Sequence, residues 1–375
     1  MTILNTADSA RWQHYVLDHG TGLVDFWQSH LGSHERHVLF VLGKGFDPQM
    51  CLGLKALLDA GGIGKRNIIA IEFDEGTSSP SRVHIQLVEK NWAELQKLLG
   101  GKGSLSTSSV KMWSNDGRRI GSRSAAALFS SLSDFAGYTD IVIDISAMPR
   151  GIYFPLIAKV LFLLDEPTTE SGMQKHNLYV FVSENPVLDR RIRDEGVDDT
   201  ADYVHPFRGG LEMESTAGYP KIWIPLLGEG QEAQLECIYN LVVPDEICPV
   251  LPSPSLDPRR GDDLVLEYRD LLFDRLRIEP RNFIYASERN PFEVYRQIRK
   301  AVLQYKDALE PLGGCKTVLS ALSTKLMSVG ALLVAYEFKR AKIDIGIAHV
   351  EPQGYVMDGG PEALVPHTRS ELFGL

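Results

Sequence analysis

The sequence predicts an α/β protein of two repeated lobes, each a mostly parallel sheet with helices on both faces. Three observations predict it. Short β-branched runs alternate with amphipathic stretches, the pattern of strands joined by crossover helices. The first strand of each half ends in Leu-Gly-x-Gly, at Leu42–Gly45 and Leu227–Gly230. The fourth strand of each half runs into Ser-Ala-apolar, at Ser146–Met148 and Ser320–Leu322. Two motifs in the same order at similar spacing point to a diverged internal duplication, and 375 residues suit two domains.

In chain order, residues 37–42 are the first strand. They lead through Gly43-Lys-Gly-Phe-Asp-Pro48 into a helix over 49–60, which Gly61 and Gly62 stop. A strand over 67–73 is followed by a helix over 82–99. Residues 100–109, GGKGSLSTSS, read as an exposed connection. A third strand at 110–113, a helix over 124–135 and a strand over 140–145, apolar enough to be central, come next. A helix over 152–164 and a fifth strand at 178–182 complete the first series. The second series has strands at 221–227, 246–251, 282–286, 315–319 and 343–349, with helices over 232–241, 262–276, 292–309 and 326–339 between them. The expected organisation is a helical extension over 1–35, lobes over 36–205 and 220–358, a linker at 206–219 and a tail from 359 to 375.

Composition excludes several classes. Hydrophobic residues make up 44% and charged residues 23% of the chain, close to ordinary globular usage. With 39 Lys and Arg against 49 Asp and Glu, the net charge of −10 argues against non-specific duplex nucleic-acid binding, which depends on cations displacing counterions. Cys51, Cys237, Cys248 and Cys315 form no metal or redox spacing, which favours a reducing compartment. No secretory leader pattern opens the sequence, and the longest apolar runs are too short or too charged to span a bilayer. The expectation is a cytoplasmic protein with no membrane partner, no metal and no resident cofactor.

In an open parallel sheet, ligands sit beyond the carboxyl ends of the strands, near the point where strand order reverses. Both repeated motifs fall there. A glycine turn ahead of a helix presents backbone N–H groups to an anion, so Gly43, Lys44 and Gly45 in one half, and Gly228 and Gly230 in the other, are candidate phosphate contacts. Ser146, Met148 and Arg150 would add a hydroxyl, loop backbone and a guanidinium able to fork onto phosphate. Ser320, Ser323, Thr324 and Lys325 would face the same cleft from the second lobe. Glu72, with Asp74 nearby, is placed to grip a ribose hydroxyl. Asp144 interrupts an otherwise apolar strand, where a carboxylate needs a partner or a role. Glycine after a strand also serves plain tight turns, Ser146 and Ser320 also suit helix caps, and Pro48 breaks the full dinucleotide pattern.

Asp144-Ile-Ser-Ala-Met-Pro-Arg-Gly151 resembles the CARF signature, a fourth-strand loop of a Rossmann-like sheet that holds cyclic oligonucleotides, and Ser320-Ala-Leu-Ser-Thr-Lys325 resembles the end of that loop. Two such units in one chain are similar to SAVED domains, sensors of cyclic oligonucleotides in bacterial anti-phage defence. The glycine pair of the signature is missing from both loops. The resemblance implies two pseudo-repeated Rossmann-like lobes, a phosphate-bearing cyclic oligonucleotide or related nucleotide held between them, and an effector protein partner. No clustered carboxylates or His/Cys ligands accompany that cleft in the sequence, so any turnover of the ligand is expected to be slow and metal-independent. Two other readings stay open. Val38–Asp47 followed by Ile69–Glu72 also looks like the opening motifs of an S-adenosylmethionine-dependent methyltransferase. A structural or adaptor subunit with a vestigial cleft is the third.

Overall fold

The computed structural model describes residues 10–166, 175–208, 211, 216–359 and 370–375. In chain order the elements begin with β1 (Asp18–His19), α1 (Gly20–Ser33), β2 (Val38–Lys44), α2 (Leu52–Asp59), β3 (Arg66–Asp74), α3 (Ile85–Leu99), β4 (Ser104–Lys111) and α4 (Gly121–Ala126). There follow β5 (Asp140–Asp144), α5 (Arg150–Leu164), β6 (Asn177–Glu184), α6 (Pro186–Asp189), β7 (Ile192–Val197) and β8 (Asp202–Tyr203). The chain continues through β9 (Lys221–Leu226), α7 (Glu232–Val242), β10 (Glu246–Ile247), β11 (Val250–Pro252), α8 (Arg260–Glu267), β12 (Ile284–Ala286) and α9 (Pro291–Ala308). Last come β13 (Lys316–Ala321), α10 (Lys325–Arg340), β14 (Ile345–His349), β15 (Pro352–Met357) and β16 (Glu371–Gly374).

These form two compact units: Val16–Val197 with Pro352–Leu375, and Asp198–Glu351 with the N-terminal stretch ending at Tyr15. The first holds a sheet of order β4-β3-β2-β5-β6-β16-β1, parallel from β4 to β6 and antiparallel at β16 and β1. The second holds a sheet of order β12-β11-β9-β13-β14-β8, with β10 also on β9, parallel except where β8 joins. Counting only the crossover-linked strands, each sheet runs third, second, first, fourth, fifth. Strand order therefore reverses between β2 and β5 in one unit and between β9 and β13 in the other. The predicted class, a pair of Rossmann-like α/β units wound alike, is the observed one.

Burial explains why these segments form these elements. β2, β5 and β13 are buried along nearly their whole length, as central parallel strands covered on both faces must be. In α1, Leu23, Trp27 and Leu31 recur every fourth residue and enter the core of the first unit with Phe40 and Phe181. The expected N-terminal extension is thus in part a wall of that lobe. The expected tail also joins it: β16 pairs with β6, and Phe373 and Leu375 are buried. Four residues carrying Leu372 and Phe373 are too short a run to announce a strand without their partner.

Residues 206–219, expected as a linker, are partly built into the second unit. Phe207 and Leu211 are buried, and two lysines hold the chain there, the half-buried Lys339 donating through Nζ to Pro206 O at 2.8 Å and the buried Lys316 through Nζ to Leu211 O at 2.8 Å. The third strand, expected at 110–113, is β4 and begins six residues earlier, inside the stretch 100–109 read as a flexible connection; its eight residues pair in register with β3. Its composition suggested a linker, but the hydroxyls of Ser104 and Ser106 bond to Asn67 Oδ1 and Ile68 O of the neighbouring strand. The ribbon of β7 and β15 was not legible in the sequence either.

At the amino end of β5, buried Asp140 accepts hydrogen bonds from Thr139 Oγ1 at 2.5 Å and Asn177 Nδ2 at 2.9 Å, and meets His30 Nε2 at 2.9 Å. Burial alone would raise this carboxyl, but the hydrogen bonds from His30, Thr139 and Asn177 overcome it and hold the group at about 2. A depressed carboxyl stabilises the fold above its unfolded pKa, about 3.9, and that contribution is lost as pH falls through the folded value. The contribution is about 2 kcal/mol. Denaturant midpoints are expected to fall between about pH 4 and pH 2, and Asp140→Asn to flatten that limb. An unaltered limb in the variant would assign the acid sensitivity to other carboxylates.

Candidate functional site

In the first unit, the turn after β2 and the loop after β5 meet. A Cβ on Gly43 would lie 2.7 Å from Ala147 O and 2.9 Å from Met148 Cγ, so glycine is required here by the close approach of the β5–α5 loop. Gly45 lies 3.4 Å from Ala147 O by the same construction, and its carbonyl accepts a hydrogen bond from Asn91 Nδ2. Asn91, on α3, also donates to Asp47 O at 2.9 Å and pins the whole turn. Asp47 then caps a short 3-10 turn through Gln49 N, with Pro48 at its first position. This explains the departure from the dinucleotide pattern: proline suits a helix start, where its missing N–H costs nothing.

Lys44 and Glu72, read separately as a phosphate contact and a ribose grip, form one ion pair of 2.6 Å, and the Lys44 ammonium also lies 4.4 Å from the centre of the Trp92 ring. Each satisfies the other's charge, which removes the basis for giving both to a ligand. Asp74 accepts a hydrogen bond from Gly76 N at 3.3 Å within its own turn. Ser146 does not face outward: it is fully buried, its Oγ accepts from Ser183 N at 2.8 Å, and its N–H donates to Asp144 Oδ1 at 2.9 Å. Asp144 and Ser146 together tie the ends of β5 and β6.

Arg150 opens α5 as its first residue and is half-buried. Pro149 at the cap position offers no side-chain acceptor to the first turn, and that turn holds no acidic residue. The helix therefore starts, at the strand-order reversal, with its positive end facing the crevice and a cation added to it. Helix dipoles favour the opposite arrangement by about 0.3–1 kcal/mol per charge, unless an anion completes the site.

In the second unit, a Cβ on Gly228 would collide with Leu322 O, so this glycine too admits the loop after its fourth strand. Gly230 has a φ of +69° and donates its N–H to Glu267 Oε1 at 2.7 Å. Ser320 is buried in the ladder opposite Pro225, and its Oγ accepts from Trp223 Nε1 at 2.9 Å. In the first unit Leu42 opposes Asp144, so Ser146 lies beyond the paired residues. The two Ser-Ala motifs thus occupy unlike places, although the strands around them are wound alike. Ser323 Oγ lies 3.2 Å from Met327 Sδ, and Thr324 caps α10 by accepting from Met327 N. Lys325 opens α10, as Arg150 opens α5.

A residue set missed by the motif reading lies at the strand ends of the second sheet, beside the reversal between β9 and β13. Arg260, first in α8, forks onto Glu229 through Nε at 2.8 Å and Nη2 at 2.7 Å, and its Nη1 bonds Glu288. Glu288 also accepts from Leu256 N at 2.9 Å. Burial would weaken the Arg260 charge, but the hydrogen bonds and charge of Glu229 and Glu288 raise its pKa instead. The network joins the ends of β9, β11 and β12. Its signal in the sequence was the Asp257-Pro-Arg-Arg260 loop, with Glu229 inside the Gly-x-Gly turn. Among the described residues, no group of three His, Cys, Asp or Glu side chains is placed to hold a metal ion. No helix among them is long and apolar enough to cross a membrane.

No family model and no curated protein matches the sequence. Among solved structures, the chain is similar to a Pseudomonas aeruginosa protein described as a universal stress protein, at 12% identity and a TM-score of 0.23 over 88% of this chain and 95% of that one. A universal stress protein from Archaeoglobus fulgidus matches at 9% identity and a TM-score of 0.23, over 82% of this chain and 95% of that one. An rRNA methyltransferase from Streptomyces viridochromogenes matches at 12% identity and a TM-score of 0.21, over 44% of this chain and 71% of that one.

Proposed function

We propose that the protein is a nucleotide-binding sensor whose ligand phosphate sits at the start of α5, in the crevice where strand order reverses between β2 and β5. One observation carries this reading: α5 opens there with Arg150, with no acid in its first turn and no side-chain cap. An anion would meet the backbone N–H groups of that helix end, and a guanidinium at its first position can fork onto phosphate. In this reading Gly43 and Gly45 shape the floor, Met148 packs the loop, and Lys44 with Glu72 forms a fixed wall. Lys325 marks the corresponding place in the second unit, where Thr324 already caps the helix and the Arg260 network fills the neighbouring strand ends. The ligand class is a cyclic oligonucleotide or related nucleotide, of the kind the resemblance to CARF and SAVED domains implies, with a role in anti-phage defence.

Equilibrium titration of the purified chain with cyclic di-, tri- and tetranucleotides is the test. Saturable binding of at least one, undiminished by EDTA, is expected. Binding of S-adenosylmethionine alone would favour a methyltransferase, and binding of none of them would overturn the sensor reading.

A further inference from the structure

The first sheet ends on β4, whose eight residues pair with β3 on one side only. Alternate backbone N–H and C=O groups of β4 face away from the sheet, where no strand pairs with them among the described residues. The other ends of the two large sheets are blunted. β1 and β8 have two residues each and β12 has three. The two-stranded ribbon carries Arg193, Asp194 and Glu195 on β7, and Pro352 and Gly354 on β15. Short strands, charges and proline are the usual ways a chain keeps its edges from pairing. β4 is longer and carries a single charge, the exposed Lys111 at its last position; from Ser104 to Val110 it reads Ser-Leu-Ser-Thr-Ser-Ser-Val, without charge, proline or glycine.

We infer that β4 is an interface for a second copy of this chain, pairing antiparallel with the same strand across a two-fold axis. An edge whose one charge lies at its last residue, Lys111, offers little along its length to attract an acidic or basic peptide, whereas an antiparallel pair of identical edges sets small hydroxyl residues opposite one another. Such pairs are compatible across strands and can hydrogen-bond. Ser104 and Ser106 already direct their hydroxyls to β3, which leaves the outer backbone unobstructed. Full pairing would form roughly eight new backbone hydrogen bonds along a contact of about 26 Å. A two-fold contact closes on itself and stops at a dimer, with the two sheets joined into one. This assignment does not depend on the nucleotide-binding reading.

Sedimentation velocity of the full chain from roughly 1 to 100 micromolar tests it. A concentration-dependent dimer is expected, strengthened by added salt because each copy carries a net charge of −10. Thr107 and Ser109 are exposed. The double variant Thr107→Lys with Ser109→Lys would place like charges across the axis and raise the dimer dissociation constant at least about tenfold. Its circular dichroism and melting temperature should stay close to those of the parent, which separates lost pairing from lost folding. A chain that is monomeric throughout this range, or a dimer that the double variant leaves intact, would overturn the assignment.

Discussion

Arg260→Ala is expected to destabilise the second unit by about 3–5 kcal/mol, the largest effect of any single substitution considered for this protein. Arg260 is 12% exposed and Glu288 7%, so truncation leaves a buried carboxylate without its cation. Removing one member of a buried pair costs far more than the pair contributes, because the remaining charge keeps its desolvation penalty and loses its compensation. Glu229 is 39% exposed, so Glu229→Gln should cost much less, since water screens that arm of the fork. Combining Arg260→Met with Glu288→Gln should recover part of the loss by removing the stranded charge. Urea unfolding followed by circular dichroism measures all three. A cost below about 1 kcal/mol for Arg260→Ala would show that water reaches Glu288 and that the network is not closed.

Gly228→Ala is expected to cost at the upper end of the range for overpacked sites, about 3 kcal/mol. The added methyl would strike Leu322 O and lie 3.1 Å from Ser323 Cα, and backbone at both contacts cannot swing aside as a long side chain would. Gly230→Ala is the comparison. Its φ of +69° disfavours an L-residue, but a Cβ there meets nothing within 4 Å, so only the conformational cost of about 1–2 kcal/mol applies. If the two substitutions cost the same, close packing of the loop on Gly228 is not what requires glycine.

These glycines show what was legible in the sequence and what was not. Repetition of Leu-Gly-x-Gly and the alternation of strands and helices identified the architecture, because strand periodicity and helix starts are local properties. The same strand order in both sheets followed from it. The use of each glycine was not local. Gly43 and Gly228 admit a protein loop, a fact that depends on residues about a hundred positions away in the chain. Ser146 and Ser320 looked equivalent as tripeptides, but strand register puts one past its ladder and the other inside it. Lys44 and Glu72 were each assigned to a ligand because the pairing of β2 with β3 that brings them together is a tertiary fact. The first six residues of β4 were lost to their composition, since Ser, Thr and Gly describe a linker as well as an edge strand. Arg150 and Lys325, expected in the loops just ahead of helices at 152 and 326, instead open those helices as their first residues.

Arg150→Ala tests the central claim most directly. One desolvated guanidinium–phosphate contact is worth about 1.5–3 kcal/mol, so the variant should bind a cyclic oligonucleotide roughly 10- to 150-fold more weakly than the parent. Arg150 is half-buried, so the melting temperature should change little. Lys44→Ala should weaken binding far less, because that ammonium is held by Glu72. Isothermal titration of the three proteins with the tightest ligand of the parent gives the answer. A large loss confined to Arg150→Ala is the expected result; equal affinity in the parent and Arg150→Ala, with both folded, would contradict a phosphate site at the start of α5.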